Sequence, residues 1–273
     1  MKRYAIIGNK LVDQKNAFLN INDLGLIRGY GVFDFTVCRG EKIHKLVPHV
    51  KRFFKSAKIM KLKSPYAINK ICDLAEMVVR KNNLKYSSLR LILTGGISPD
   101  GKSVKQETFI IINEPLRPFS PEHYEKGVRA ITADHKREFP EAKTTNYQFA
   151  YMNYPQMKKV GAFELIYTPS KLVLEGLTSN IFIVKGGSVI TPKNDILMGI
   201  TRAEVIEICT KNDIECQEKS MSREELFSAD EVFITASSKR IMPVVFVDNT
   251  KIGNGRPGKT TKNIMNIYDA NFD

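Results

Sequence analysis

One short stretch carries the most information about this chain: Glu175-Gly176-Leu177-Thr178-Ser179-Asn180-Ile181-Phe182. Its apolar end predicts a strand over 181–184, which a glycine turn joins to a second strand over 188–190. Beyond it lies Gly199-Ile200-Thr201-Arg202, followed by a helix predicted over 201–210. A helix N-terminus presents free N–H groups and a positive dipole end, which together can hold a phosphate group. The junction between strands and helix therefore predicts an anion site.

Outward from this region, the sequence predicts two α/β-type domains with mixed sheets rather than a strict βαβ order. Upstream, apolar residues recur at helical spacing after Pro48, which we expect to open a helix. The stretch from Pro115 to Pro121 has three prolines, which cannot donate to a strand ladder and stiffen the chain. We therefore expect an N-terminal domain over 1–114, a linker over 115–121 and a larger C-terminal domain over 122–273.

Composition excludes several classes of protein. Hydrophobic residues make up 42% and charged residues 26%, and no apolar run is long enough to span a membrane. The apolar run near the N-terminus is too short for a signal peptide, so we expect a cytoplasmic protein. The net charge of +13 is spread along the chain without a basic block or a nucleic-acid-binding motif, so no nucleic-acid partner is expected. Four scattered histidines and four cysteines without C-x-x-C pairing predict no metal site.

Five ordered segments together resemble the class IV aminotransferases, which are enzymes that use pyridoxal 5'-phosphate (PLP). Glu175–Phe182 looks like the family's E-G-x-x-S-N-x-F segment, and Gly199–Arg202 is similar to its G-I-T-R phosphate turn. The other matches are His49-Val50-Lys51-Arg52-Phe53, Lys143-Thr144-Thr145-Asn146-Tyr147 and Phe233-Ile234-Thr235-Ala236-Ser237-Ser238 with Pro243-Val244. Order and spacing agree over nearly the whole chain. The resemblance implies the mixed α/β (α+β) architecture called fold type IV, with a small N-terminal α/β sandwich and a larger C-terminal pseudo-barrel.

The resemblance also implies a role for each matched residue. Lys143 would bind PLP covalently and then move the proton of the substrate α-carbon, and Glu175 would pair with the pyridinium nitrogen. Arg137 would contact the phenolic oxygen of the cofactor. The phosphate would be held by Arg52, the backbone amides of Ile200 and Thr201, the Thr201 hydroxyl, and Ser237 or Ser238.

The family contains several activities, and local features bear on the choice. Lys143 and Asn146 are three residues apart, as in the D-amino-acid enzymes and the lyases. The sequence after Glu175 reads G-L-T-S-N, which is closer to the D-amino-acid form than to the form usual in branched-chain enzymes. Against this, Arg90 falls where branched-chain enzymes carry the arginine of a Tyr-x-Arg strand. We expect a transaminase that favours D-amino acids and a 2-keto acid such as 2-oxoglutarate or pyruvate. A branched-chain L-amino-acid transaminase is the alternative, and a 4-amino-4-deoxychorismate lyase comes third.

Two arginines are candidates for binding the substrate carboxylate. Relatives usually have an aromatic residue in place of Arg28, on a loop that lines the pocket of the neighbouring subunit. The arginine trap of the D-amino-acid enzymes is missing here, since residues 94–96 read Thr-Gly-Gly. We hypothesise that Arg28 and Arg90 replace this trap, in a homodimer whose pocket is shared across the interface. Phe33, in place of a common tyrosine, and Ala236 are expected to line the same pocket.

Overall fold

The computed structural model describes residues 2–272, which form two compact units. The N-terminal unit contains the residues up to Pro118 together with Ala142–Tyr147, and the C-terminal unit contains Phe119–Glu141 and the residues from Gln148 onward. The chain leaves the first unit at Pro118, inside the stretch that was expected to be a linker. Among residues 2–272, no helix combines the length and the apolar content that crossing a bilayer requires.

The N-terminal unit is built on an antiparallel six-stranded sheet with the order β2-β1-β6-β5-β3-β4. Its strands are β1 (Tyr4–Ile7), β2 (Lys10–Asp13), β3 (Gly31–Arg39), β4 (Lys42–Ile43), β5 (Tyr86–Thr94) and β6 (Thr108–Pro115). Its helices are α1 (Leu24–Arg28), α2 (Leu46–Ile59) and α3 (Ile68–Asn82). The two hairpins β1–β2 and β3–β4 form at glycine turns.

The core of this unit lies between the sheet and helices α2 and α3. Val50, Phe53 and Ala57 recur at three- and four-residue spacing, so they share one face of α2 and are buried. Helix α2 begins at Leu46, two residues before the predicted start at Pro48. Pro48 is tolerated there because the first-turn N–H groups of a helix have no intrahelical acceptor. The buried face of α2 fixes the helix that carries Arg52.

The C-terminal unit is built on a mixed eight-stranded sheet. The main path has the order β12-β11-β10-β14-β15-β7-β8, with β16 paired to β15, and β9 and β13 form a separate pair. The strands are β7 (Val128–Ala133), β8 (Glu164–Tyr167), β9 (Leu172–Val173), β10 (Asn180–Lys185), β11 (Ser188–Thr191), β12 (Cys216–Glu218), β13 (Met221–Ser222), β14 (Glu231–Ala236), β15 (Arg240–Val247) and β16 (Thr250–Lys251). The helices are α4 (Pro121–Lys126), α5 (Gln148–Lys159), α6 (Ile200–Lys211), α7 (Arg223–Phe227) and α8 (Lys259–Phe272).

Residues 174–177 link the end of this sheet back to its middle. Tyr167 of β8 donates its backbone N–H to the Glu175 carbonyl at 2.8 Å, and the Leu177 N–H donates to the Leu165 carbonyl at 2.8 Å. The segment then continues directly into β10. Residues 174–177 therefore connect β8, at the end of the sheet, with β10. Their hydrogen bonds to the buried strand β8 fix the backbone of Glu175.

Candidate active site

The segment that carries Lys143 lies along the edge of β3 in the N-terminal unit. The Phe33 N–H donates to the Lys143 carbonyl at 2.9 Å, Thr144 pairs with Val32, and the Lys143 N–H donates to Ser56 Oγ at 3.0 Å. Strand β4 pairs only with residues 38 and 39 of β3, so the edge at residues 31–33 is left for this segment. The backbone of Lys143 is thus held by a strand on one side and by helix α2 on the other.

The Lys143 side chain lies on one face of the β3–β5 ribbon. Its Nζ is 4.7 Å from the ring centroid of Phe33, and the Arg90 guanidinium carbon is 5.8 Å from the ring centroid of Phe35. Phe33 and Phe35 are two residues apart on β3, so their side chains point to the same face. Arg90 stands directly opposite Phe35 on β5. The structure therefore brings the Lys143 amine, Phe33 and Arg90 to one face of the N-terminal sheet.

Arg52 belongs to a buried charged cluster on the opposite face of β3. Its Nε donates to Asp34 Oδ2 and its Nη2 to Asp34 Oδ1, each at 2.9 Å, while His49 Nδ1 lies 2.6 Å from Asp34 Oδ1. Burial alone would raise the pKa of Asp34, but the Arg52 charge and the hydrogen bonds from His49 and Arg52 hold it well below its usual range. Burial lowers the pKa of His49, and the nearby charges of Arg52 and His44 lower it further. The pKa is therefore below its ordinary value although Asp34 raises it. The cluster therefore consists of a cation, a carboxylate and a neutral imidazole.

Arg28 is the last residue of the short helix α1 and is exposed. Its Nη1 donates to the carbonyl of the adjacent Ile27 at 2.9 Å. Gly29 follows in the left-handed conformation, with φ of 63°, and ends the helix. The structure places Arg28 at the surface of the N-terminal unit, and its role in binding substrate stays a prediction.

Glu175 is buried in the C-terminal unit, where both of its carboxylate oxygens have partners. Oε1 accepts from Arg137 Nε at 2.7 Å and lies 2.6 Å from Arg137 Nη2, and Oε2 accepts from the Leu197 N–H at 2.9 Å. We expected Arg137 at the phenolic oxygen of the cofactor. In the structure its guanidinium contacts Glu175 and the Pro140 carbonyl, and its contact with the phenolic oxygen stays a prediction. The Glu175 carboxylate is therefore held by the Arg137 guanidinium at one oxygen and by a backbone N–H at the other.

The N-terminus of α6 has the features of a phosphate-binding turn. Gly199 is its N-cap residue and makes no side-chain capping bond, and Thr201 is buried in the first turn. Asn180 holds the preceding loop by donating from Nδ2 to the Leu197 carbonyl at 2.8 Å. A Cβ atom on Gly199 would lie 2.0 Å from Asn180 Oδ1, so only glycine fits here. Because the N-cap residue is a glycine, it has no side chain to cap the first-turn amides, and Ile200 and Thr201 supply two of those amides.

The other predicted residues of this unit lie in the turn between β14 and β15. Ala236 is the last residue of β14, and Ser237 and Ser238 follow it. All three are half-buried. Hydroxyl groups on a turn and backbone amides at a helix N-terminus are donors that suit a phosphate, and a buried carboxylate suits a pyridinium nitrogen. The donor set of the C-terminal unit therefore fits PLP.

Sequence reasoning missed Asp34, Ser56, Glu164 and Lys239. Asp34 could have been found, because it alternates with Phe33 and Phe35 on a strand whose other face must be buried. Ser56 lies on the apolar stripe of α2 but has no distinguishing pattern. Glu164 and Lys239 are recognisable only once the chain is folded, since they are far apart in sequence and paired in space.

Comparison with known proteins identifies the family. The family model described as amino-transferase class IV matches residues 31–247. A putative branched-chain-amino-acid aminotransferase of Methanocaldococcus jannaschii is 33% identical, covering 98% of this chain and 95% of that protein. A D-alanine aminotransferase of Bacillus licheniformis is 28% identical, covering 95% of this chain and 94% of that protein.

Solved structures agree with this assignment. The branched-chain amino acid aminotransferase of Escherichia coli matches with a TM-score of 0.93 and 28% identity, covering 100% of this chain and 95% of that one. A branched-chain enzyme from T.th., solved with pyridoxamine 5'-phosphate, matches with a TM-score of 0.91 and 26% identity, covering 98% of this chain and 93% of that one. The predicted fold class is confirmed, and the chain belongs to the class IV aminotransferases, a family of PLP-dependent enzymes.

Proposed function

We propose that this aminotransferase exchanges the amino group of an amino acid, with D-amino acids favoured, for the keto group of 2-oxoglutarate or pyruvate. The observation that carries the proposal is the shared face of Lys143 and Arg90. One face of the N-terminal sheet carries the Lys143 amine, which can transfer the α-proton, and the Arg90 guanidinium, which can bind an α-carboxylate. This arrangement suits a substrate that carries both groups on one carbon.

We assign the cofactor contacts as follows. Lys143 would hold PLP covalently through Nζ, and Glu175, held by Arg137, would pair with the protonated ring nitrogen. Ile200, Thr201, Ser237 and Ser238 bind the phosphate, together with Arg52. Asp34 accepts from Nε and Nη2 of Arg52, so Nη1 is the nitrogen that we assign to a phosphate oxygen.

The chemistry divides between the cofactor and the chain. PLP, when bound, supplies an electron-accepting ring that stabilises negative charge at the substrate α-carbon. Once the substrate amine has replaced it on the cofactor, the released amine of Lys143 would take the proton from that carbon, which requires the amine to be deprotonated. Packing against the Phe33 ring and partial burial shield the amine from water. Arg90, and Arg28 from the partner subunit, orient the substrate by its carboxylate, while Phe33 and Ala236 line the pocket.

The preference for D-amino acids is supported by the sequence around Lys143 and Glu175 and by the D-alanine aminotransferase relatives. The second candidate is a branched-chain L-amino-acid transaminase, and Arg90 together with the branched-chain relatives favours it. The lyase is the third candidate, because Lys143, Glu175 and the phosphate residues would serve it equally well.

An absorbance titration of the purified holoenzyme tests the proposal. We expect D-alanine or D-glutamate to convert the visible band of bound PLP to the near-ultraviolet band of its amine form, and L-leucine to leave the visible band in place. Conversion by L-leucine alone would establish the branched-chain alternative. Release of pyruvate from 4-amino-4-deoxychorismate without conversion by either amino acid would establish the lyase.

Lys143→Ala tests the assignment of the covalent residue. We expect turnover to fall by about 100- to 10,000-fold, because the proton-transfer group is lost. Reduction with borohydride followed by mass spectrometry should attach the cofactor to Lys143 in the wild type and to no peptide in the variant. Lys58→Ala, an exposed position on α2, is the matched control and should behave as wild type. Full turnover in Lys143→Ala would reject the assignment.

We also propose that the enzyme is a cytoplasmic homodimer. The N-terminal unit exposes large apolar side chains near α1, including Phe18 at 77%, Ile21 at 76% and Leu26 at 66%. Phe18, Ile21 and Leu26 lie within eight positions of one another in the sequence. An exposed apolar patch marks an interaction site, and a two-fold dimer is the commonest way to cover one. Burial of this patch would also bring Arg28, which follows Leu26 and Ile27, to the interface.

A further inference from the structure

A buried ion pair in the C-terminal unit has no part in the function proposed above. Lys239 Nζ lies 2.5 Å from Glu164 Oε2, and the two side chains are 10% and 1% exposed. Lys239 is in the turn between β14 and β15, and Glu164 is the first residue of β8. A buried charge is costly unless it is paired and hydrogen-bonded, so this pair constrains both segments strongly.

Glu164 also contacts the turn that follows Glu175. Its Oε2 accepts from Ser179 Oγ at 2.7 Å and from Thr178 Oγ1 at 3.3 Å, and Lys239 Nζ also donates to Thr178 Oγ1. The turn is closely packed as well. A Cβ atom on Gly176 would lie 2.3 Å from Ser179 Oγ and 3.0 Å from the Glu164 carboxyl carbon. Four side chains therefore connect the turn after Glu175 with the turn that contains Lys239.

These two turns carry opposite ends of the proposed cofactor site. Residues 176–179 directly follow Glu175, the proposed partner of the ring nitrogen. Lys239 directly follows Ser237 and Ser238, the proposed phosphate ligands. A ligand that contacts both groups requires a fixed spacing between them, and a displacement of about 1 Å in such a site can cost about 100-fold.

We propose that Lys239, acting through Glu164, is a positioning residue that sets the spacing between Glu175 and the Ser237–Ser238 turn. Lys239 itself touches no reacting atom. Glu175 has separate anchors in Arg137 and the Leu197 N–H, so loss of Lys239 leaves the ring-nitrogen partner in place. Loss of Lys239 therefore weakens the binding of ligands that contact both turns. The inference rests on the assignment of Glu175, Ser237 and Ser238 to the cofactor.

The test compares two ligands in the Lys239→Met variant. PLP carries both the ring and the phosphate, whereas pyridoxal carries the ring alone. Equilibrium dialysis of the apo dimer gives the Kd of each ligand, and their ratio measures the advantage that the phosphate provides. We expect this advantage to fall by about 10-fold or more in Lys239→Met, with the Kd of pyridoxal nearly unchanged.

Two further variants keep the test decisive. Leu226→Ala, in the core on α7, is the matched control: it should lower the thermal midpoint without changing the phosphate advantage. The double variant Lys239→Met/Glu164→Gln replaces Lys239→Met if the latter does not fold, because it breaks the pair without leaving an uncompensated buried carboxylate. An unchanged phosphate advantage in the folded Lys239 variant, or an equal loss in Leu226→Ala, overturns the inference. A wild-type protein that binds neither ligand overturns the proposed function instead.

Discussion

At the residue scale, the charged side chains near the site form buried ion pairs, in which burial strengthens the attraction between the two charges. Asp34 holds Arg52, Arg137 holds Glu175, and Glu164 holds Lys239. In each pair one member is proposed to contact the cofactor or to position a group that does. A guanidinium held at two nitrogens by a carboxylate has a fixed plane, which is what recognition of a phosphate requires. The second residue of each pair therefore restricts the first before any ligand binds.

The arginines proposed to bind the substrate carboxylate give the first prediction. We expect Arg90→Ala to raise the KM for a keto acid by about 10- to 100-fold, since a charge-assisted hydrogen bond contributes about 1.5–3 kcal/mol. The KM for an uncharged aldehyde that accepts the amino group should change little. Arg28→Ala should behave in the same way. Arg39→Ala, exposed at the far end of β3, is the control. Equal effects on both acceptors would reject carboxylate binding by these arginines.

His49 gives a prediction about pH. Its pKa is lowered in the folded protein, so the unfolded chain binds a proton more readily as the pH falls below about 6.5. Stability is therefore lost from that pH downward, with a slope of at most about 1.4 kcal/mol per pH unit. We expect His49→Gln, measured by urea unfolding between about pH 6.5 and 5, to have a flatter profile than the wild type.

The lowered pKa of Asp34 acts in a separate window. Its contribution to stability is present above about pH 3.9 and is lost as the pH falls through the lower pKa of the folded state. Asp34 therefore does not contribute to the slope between about pH 6.5 and 5. Parallel profiles for the wild type and His49→Gln in that range would contradict a neutral buried imidazole.

At the element scale, two segments were hard to predict for physical reasons. Helix α5 contains Pro155 and buries only Ala150 and Met157, so its apolar pattern is weak. Strand β15 begins at Arg240 and includes Pro243, which lies opposite Phe233. Pairing with β7 starts only at Val244, so the missing N–H of Pro243 interrupts no ladder on that side. The amphipathic helix α2 was predicted correctly, apart from its first two residues, because its periodicity is local.

The N-terminus of α6 gives the prediction at this scale. Gly199 has an ordinary φ of −65°, so glycine is required for space and not for backbone conformation. We expect Gly199→Ala to push Asn180 from its place and to destabilise the protein by about 1–3 kcal/mol, which is typical of overpacking. The Kd of PLP should rise as well, because the first-turn amides move. Gly187→Ala on the β10–β11 turn has no steric neighbour and tests whether loss of any glycine weakens PLP binding. Unchanged PLP affinity in Gly199→Ala would show that this turn does not hold the phosphate.

At the scale of the whole molecule, the prediction concerns the proposed dimer. We expect the double variant Phe18→Asp/Ile21→Asp to sediment as a monomer, because two charges cannot be buried in an apolar interface. The wild type should sediment as a dimer at the same concentration. Met77→Asp, at another exposed apolar position on α3, should leave the dimer intact. A wild-type monomer at the concentrations used for assay would reject the shared pocket.

The division of the chain into two units also shows why the position of residues 142–147 was not predicted. Residues 142–147 belong to the N-terminal unit although they are more than 20 residues beyond the point at which the chain leaves it. The predicted division into 1–114, 115–121 and 122–273 follows composition along the chain. The return of Lys143 to the edge of β3 depends on backbone hydrogen bonds to residues about 110 positions earlier.

The sequence alone determined the fold class, the family, the cofactor and the strongest helices and strands. Those properties can be predicted from local periodicity and short motifs, because residues close together in the sequence determine them. Only the tertiary structure showed three ion pairs. Arg52 is paired with Asp34, and Arg137 with Glu175. Lys239 is paired with Glu164, which lies 75 residues away in the sequence. The physical reason is that the strength of a charge pair depends on burial, and burial is set by packing between segments that are distant in the chain.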